Sequence, residues 1–212
     1  DQVRVLSALG LVEPYYDLYT KTLDQIGEGI GGFYIPWTKD LYVIGPEFNG
    51  IERFVYAHEY THALVDQHYS LDSIGVYPEC LVDADYCLAM SGLIEGDATL
   101  AMVQWLENFG TEADIEDILA SQYAPLTESI SKNDLAPPFV VREMNFRYGD
   151  GLAFVDYLYQ IGKWQMVNMA YQNQPQTSEQ ILHPEKFQTR ETAIPLDTPN
   201  LQYVLGPEWR FL

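Results

Sequence analysis

The sequence predicts an α+β fold built as one domain, and three observations predict it. The chain has 212 residues, 47% of them hydrophobic, which suffices for one proper core. Aromatic and β-branched residues flank a short polar turn between residues 32 and 44, the pattern of a β-hairpin. From residue 50 onward, apolar residues recur three and four apart, the period of helices that bury one face. We therefore expect a hairpin-and-helix part over about residues 1–70 and a mainly helical part over about 71–212, joined in one unit.

The elements follow in order. Residues Arg4 to Ile26 carry apolar positions at helical spacing on either side of Gly10 and Pro14, which predicts two short helices. Gly32-Phe33-Tyr34-Ile35-Pro36 and Leu41-Tyr42-Val43-Ile44 are the two strands of the hairpin, with Trp37-Thr38-Lys39-Asp40 between them. Pro36 offers no N–H, so its strand belongs at an edge. Asn49 can cap a helix running from Gly50 to about His68, with Glu52 completing a reciprocal cap. On that helix Ile51, Phe54, Val55, His58, His62 and Val65 share a face that looks inward. Asp83 to Asn108 reads as a longer helix with Ala84, Leu88, Ala98, Met102 and Leu106 as packing positions, closed by Phe109-Gly110. Ile115 to Tyr123 is a short helix, and Leu135-Ala136-Pro137-Pro138 is a break. Gly151 to Ile161 and Trp164 to Tyr171 are two more helices, and Thr177 caps a turn ending at His183-Pro184. The segment from Pro195 onward looks irregular.

Composition excludes several classes of function. The formal charge of -20 would repel a phosphate backbone before any specific contact formed, so neither nucleic acid nor an anionic membrane surface is expected as a partner. No stretch approaches the ~18 apolar residues of a membrane span. Asp1-Gln2-Val3-Arg4 lacks the basic and apolar regions of a signal peptide, which leaves a cytosolic protein or a processed one; an extracellular or cell-envelope site is favoured over the cytoplasm. Cys80 and Cys87 would lie ~10 Å apart along a continuous helix, so a disulfide needs Cys80 in the loop before it. Buried thiols and one bridge both stay open. No calcium loop of the Asp-x-Asp-x-Asp-Gly kind is present.

One motif carries chemistry. His58-Glu59-Tyr60-Thr61-His62 is a His-Glu-x-x-His sequence on the amphipathic helix just described. Four residues turn a helix by ~400° and raise it ~6 Å, so both imidazoles sit on one face and can reach one tetrahedral cation. Glu59 points aside, placed to act on a water at the metal without becoming a ligand. For the third ligand, His68 has the right count for the His-x-x-Gly-x-x-His continuation, but that pattern needs glycine where Val65 stands, so His68 should lie beyond the helix end. Glu95 sits in Leu93-Ile94-Glu95-Gly96-Asp97-Ala98, an acid inside an apolar helical stretch. Burying its carboxylate costs several kcal/mol unless a cation compensates, which a zinc ion would do. Gly96 beside it is best explained by a close approach of another helix at the metal.

On these residues the chain resembles the gluzincins, the thermolysin-like clan of metallopeptidases, in which a Glu on a later helix completes the site. The combination of Gly32-Phe33-Tyr34, the His58 to Leu64 segment, Glu95-Gly96-Asp97-Ala98 and Ile181-Leu182-His183-Pro184-Glu185-Lys186 is similar to a group of bacterial proteins assigned to the metallopeptidases. It departs from the thermolysin signature at Ile94, where that signature has Asn. The resemblance implies a zincin-like unit: a twisted, mainly antiparallel sheet whose edge strand borders the cleft and pairs with an extended peptide. The hairpin at residues 32 to 44 is the candidate edge.

The expected activity is zinc-dependent peptide hydrolysis, with one zinc per chain held by His58, His62 and Glu95 and with Glu59 as general base. His183 is the first choice to steady the oxyanion and Tyr148, in Asn145-Phe146-Arg147-Tyr148-Gly149-Asp150, the second. Asp66 and Asp97 are expected to orient the zinc histidines through their second nitrogens, Asp66 also by likeness to a supporting acid of the clan. A non-peptidase zinc hydrolase and a latent or non-catalytic zinc-binding module are the alternatives, and the spare base Glu59 speaks against the second.

Overall fold

The computed structural model describes residues 2–21, 31–74, 83–129, 137–195, 203 and 206, without the side chains of residue 2 and residues 122–129. Its architecture is mixed helix and sheet. The sheet is smaller than the mainly antiparallel one expected, because among the described residues it consists of the hairpin alone. Strand β1 (Gly32–Ile35) pairs antiparallel with β2 (Asp40–Val43), Gly32 opposite Val43 and Ile35 opposite Asp40. The polar turn lies where the aromatic runs place it, with Lys39 at φ +63°. Beyond residue 50 the described elements are all helices.

Helix α1 is Gln2–Ala8, ending ahead of Gly10 at φ +72°. The second helix expected before Ile26 is present over residues 18–21, and the rest of its expected span lies outside the described residues. Helix α2 (Gly50–Tyr69) starts at Asn49, whose N–H donates to Glu52 Oε2 at 3.3 Å, the glutamate half of the reciprocal cap. It ends at Ser70 in the left-handed region (φ 53°), whose N–H donates to the Asp66 carbonyl. Helix α3 (Ala84–Phe109) is capped by Asp83, which accepts the Tyr86 N–H at 3.0 Å, and closes at Gly110. Cys87 in its first turn is disulfide-bonded; Cys80, the other cysteine of the chain, lies outside the described residues.

Helix α4 (Glu112–Ser129) is longer than the predicted Ile115–Tyr123. Its start is fixed by a reciprocal pair that the sequence does advertise, Thr111 and Asp114: Thr111 N–H donates to Asp114 Oδ2 at 2.8 Å and Asp114 N–H to Thr111 Oγ1 at 3.2 Å. Helix α5 (Pro138–Asn145) follows the proline break and runs through a π-turn, Phe146–Asp150, into α6 (Gly151–Gln172). The two helices expected in α6 are both present, separated at Gly162 (φ -156°) and Lys163 (φ 53°). Helices α7 (Ser178–Leu182) and α8 (Pro184–Gln188) fold the chain back, α7 capped by Thr177, whose Oγ1 accepts the Gln180 N–H.

The core forms around α3, which packs against α2 on one side and α6 on the other. Met90 and Leu93 of α3 and Phe154, Val155 and Leu158 of α6 are fully buried, and Ile181 and Phe187 close the core from α7 and α8. Of the packing positions expected on α3, Ala98 is fully buried and Leu88 lies at the rim of the core, while Ala84 is exposed. The crossing of α3 and α6 is close enough that a Cβ on Gly96 would collide with the Gly151 backbone, and one on Gly151 with that of Gly92. These glycines let two helix backbones touch, which is what the sequence argument required of Gly96.

Candidate metal centre

Helix α2 carries His58 and His62 one turn apart on its buried side, with the rings edge to face at 4.8 Å between centroids. Helix α3 lays Glu95 against them. His58 Nε2 lies 3.1 Å from Glu95 Oε2, His62 Nε2 lies 3.2 Å from His58 Nε2, and His62 Nε2 lies 3.6 Å from Glu95 Oε2. These three atoms converge on one point. Bonds of 2.0–2.1 Å to a tetrahedral ion put neighbouring donors roughly 3.3 Å apart, so the triangle fits three corners of such a shell. Two imidazoles and one carboxylate are also the donor chemistry that zinc takes.

The charges act together. Burial pulls the Glu95 carboxyl up, but hydrogen bonds from His58 and His62 outweigh it and hold the group well below the usual range. Burial pulls His62 down, and the Glu95 carboxylate more than reverses this. A carboxylate in an apolar helix stretch therefore has the compensating partners that its burial demands.

Glu59 is buried beside the triangle without being part of it. Burial raises its pKa against the opposing pull of His62 and His58, and its carboxylate accepts the backbone N–H of Tyr34. That bond follows from the hairpin register. Ile44 N–H donates to the Gly31 carbonyl, so the bonded pairs fall at Gly31, Phe33 and Ile35, and Gly32 and Tyr34 turn their polar backbone groups away from β2. This edge of β1, which no strand pairs among the described residues, thus faces Glu59. Gly32 permits this closeness, since a Cβ there would sit 2.7 Å from Val55 Cγ1 and 3.1 Å from Glu59 Cγ.

A cavity of about 650 Å³ opens in front of the triangle. Phe33 and Trp37 of the hairpin form one wall, Ser91 and Ile94 of α3 another, and Tyr148 stands at its edge. The π-turn aims Tyr148 inward: its ring lies 6.2 Å from that of His58 and its hydroxyl is hydrogen-bonded to Glu95. Burial and the nearby Glu95 raise its pKa, so the phenol stays protonated and able to donate. An inserted π-turn that re-aims one side chain is a common device at functional sites.

The other expected site residues fall elsewhere or take other partners. His183 is exposed at the corner between α7 and α8, with Nδ1 3.6 Å from Glu185 Oε1, and does not line the cavity. Pro184 begins a new helix at once, and Ile181 and Phe187 claim the inward faces, so the histidine turns outward. His68 is exposed in the last turn of α2, inside the helix rather than beyond its end. Asp66 is buried, and its partners are Tyr34, Lys39 and Leu71, not a histidine. Asp97 accepts a hydrogen bond from Tyr171 Oη at 2.8 Å, and burial pushes its carboxyl up to about 6 against that bond and the charge of His62. It acts on His62 through the field, with no hydrogen bond between them. Tyr34 is the site residue to which sequence reasoning gave no role; its signals were its place on the strand that Pro36 marks as an edge and in the Gly32-Phe33-Tyr34 segment of the resemblance.

No family model, characterised protein or solved structure matches the chain. Among the described residues no helix is long and apolar enough to cross a membrane.

Proposed function

We propose that the protein is a zinc-dependent peptidase of the gluzincin type, with His58, His62 and Glu95 holding one zinc ion and Glu59 as general base. The observation that carries this reading is the triangle of two imidazole nitrogens and one carboxylate oxygen, with edges of 3.1, 3.2 and 3.6 Å, beside a second carboxylate, the buried Glu59, that is not part of it. A structural zinc site closes with four protein ligands, whereas three ligands and a spare base belong to catalysis.

When bound, zinc supplies a Lewis acid that lowers the pKa of a water molecule from near 16 towards ~7. Glu59, its pKa raised by burial, takes a proton from the attacking water and returns it to the departing amine. Tyr148, held in its protonated form, donates to the oxygen of the scissile carbonyl as negative charge develops there. The outer edge of β1 supports a peptide as substrate, because Gly32 and the Tyr34 carbonyl turn away from β2 and can pair with an added antiparallel strand, while the Tyr34 N–H is held by Glu59. Phe33 and Trp37 give its side chains an apolar wall.

The test combines elemental analysis with cleavage of a peptide library. Near one zinc per chain in the wild type, lost in Glu95→Gln and kept in His68→Ala, is the expected binding result. Cleavage abolished in Glu59→Gln with zinc retained is the expected catalytic one. Zinc bound with no cleavage of any peptide would set the peptidase reading aside in favour of a non-catalytic module.

A further inference from the structure

We infer that Lys39, acting through Asp66, is a positioning residue that locks the β1–β2 hairpin onto the active-site helix and thereby sets the strand edge on which the substrate backbone lies. The role in substrate binding rests on the peptidase reading above; the lock itself does not.

Asp66 lies four residues after His62 on α2, with no exposure of its side chain. Its carboxylate is wholly engaged away from the histidines. Oδ2 accepts Lys39 Nζ and Tyr34 Oη, both at 2.6 Å, and Oδ1 accepts the Leu71 N–H at 2.9 Å. Two of these donors belong to the hairpin. A two-stranded hairpin is marginal by itself in water and needs anchoring from outside. This one needs it more than most, since Phe33, Trp37 and Tyr42 are all substantially exposed.

Lys39 itself is a local misfit. Its backbone is at φ +63°, a conformation that glycine adopts freely and a lysine does not, while its N–H closes the turn on the Ile35 carbonyl at 2.8 Å. A turn that needed only its shape would be served better by glycine. Lysine adds a single ammonium, and that ammonium reaches a buried carboxylate on the helix of the metal ligands. Tyr34 then carries the constraint to the chemistry, because its hydroxyl is tied to Asp66 and its N–H to Glu59. A hairpin released from Asp66 would swing both the Tyr34 N–H and the free edge of β1 away from the cavity.

The experiment compares Lys39→Met, Lys39→Gly and Lys39→Arg with wild type. It uses hydrogen exchange of the β1 amides, zinc content, and KM and kcat on a peptide that the wild type cleaves. Lys39→Met and Lys39→Gly should both exchange β1 amides at least about tenfold faster, the equivalent of one lost charge-assisted hydrogen bond, with α3 exchange and zinc content unchanged. KM should rise on the order of tenfold, with a smaller fall in kcat. Lys39→Arg should restore both. β1 exchange at the wild-type rate in Lys39→Gly would mean that only the turn shape matters and would overturn the proposal. So would acceleration shared equally by α3, or failure of Lys39→Arg to restore protection. If the wild type cleaves no peptide, the peptidase reading falls while the exchange results still decide the lock.

Discussion

At the scale of single residues, the site is a set of charges that are tolerable only together. Glu95 is half-buried with two imidazoles facing it, and the proposed zinc ion would sit where the three meet. Tyr148 adds a hydroxyl donor to the lining of the cavity. Tyr148→Phe should keep zinc content at the wild-type level and lower kcat by about a hundredfold, the scale of losing one donor to a developing oxyanion. Unchanged kcat would remove it from the chemistry. His183→Ala should leave both quantities unchanged, since that side chain is exposed and away from the cavity. Away from the site, Asp114 anchors α2 to α4 through Arg53 and Thr111. The Thr111 N–H, with Arg53 and the Thr111 hydroxyl, lowers its carboxyl from 3.8 to about 2. A depressed carboxylate contributes stability above its unfolded pKa and loses it as pH falls towards the folded one. Urea midpoints should therefore drop between pH near 4 and about 2 in the wild type, and drop less in Asp114→Asn, where that contribution is already absent. Parallel curves would show that Asp114 plays no part in acid unfolding.

At the scale of elements, the backbone contact between α3 and α6 governs the geometry of Glu95, the proposed third ligand. Gly96 follows Glu95 directly, so anything that pushes the helices apart at Gly151 also moves the carboxylate. Gly96→Ala should destabilise the fold by about 3 kcal/mol, because the added methyl meets backbone that cannot rotate away. Zinc affinity should fall with it. A melt and a zinc titration check this, and near-wild-type values in both would mean that the crossing relaxes without strain. The hairpin is the opposite kind of element, short, wet on one face and dependent on side-chain ties. Loosening it should therefore alter substrate binding before it alters global stability.

At the scale of the whole molecule, 31 acidic against 11 basic residues leave a net charge of -20 that repels itself and attracts cations. Raising ionic strength from ~0.01 M to ~0.15 M shortens the screening length from ~30 Å to ~8 Å, so the metal-free protein should melt at a higher temperature in the saltier buffer. A midpoint that stays level or falls would show that the repulsion is already relieved locally. Zinc should add its own stabilisation, about 2.7 kcal/mol at a hundred times its dissociation constant, and a chelator should remove it.

The residues that could be read from the chain alone are those whose geometry is local. Two histidines four positions apart on a helix must share a face, and an acid in an apolar helical stretch must find a cation. The gathering of His58, His62 and Glu95 with Glu59 beside them was legible for those reasons, as were the start of α3 at Asp83 and the split of α6 at Gly162. The tertiary structure alone decided what depends on how elements lie across one another. It gave Asp66 to the hairpin instead of a histidine, left His183 in solvent, brought Tyr148 inward on a π-turn, aimed the Tyr34 N–H at Glu59, and held the described sheet to two strands. Helical periodicity fixes directions within one helix over a turn or two. The meeting of two elements is set by packing angle and register summed over many side chains, which no short segment carries.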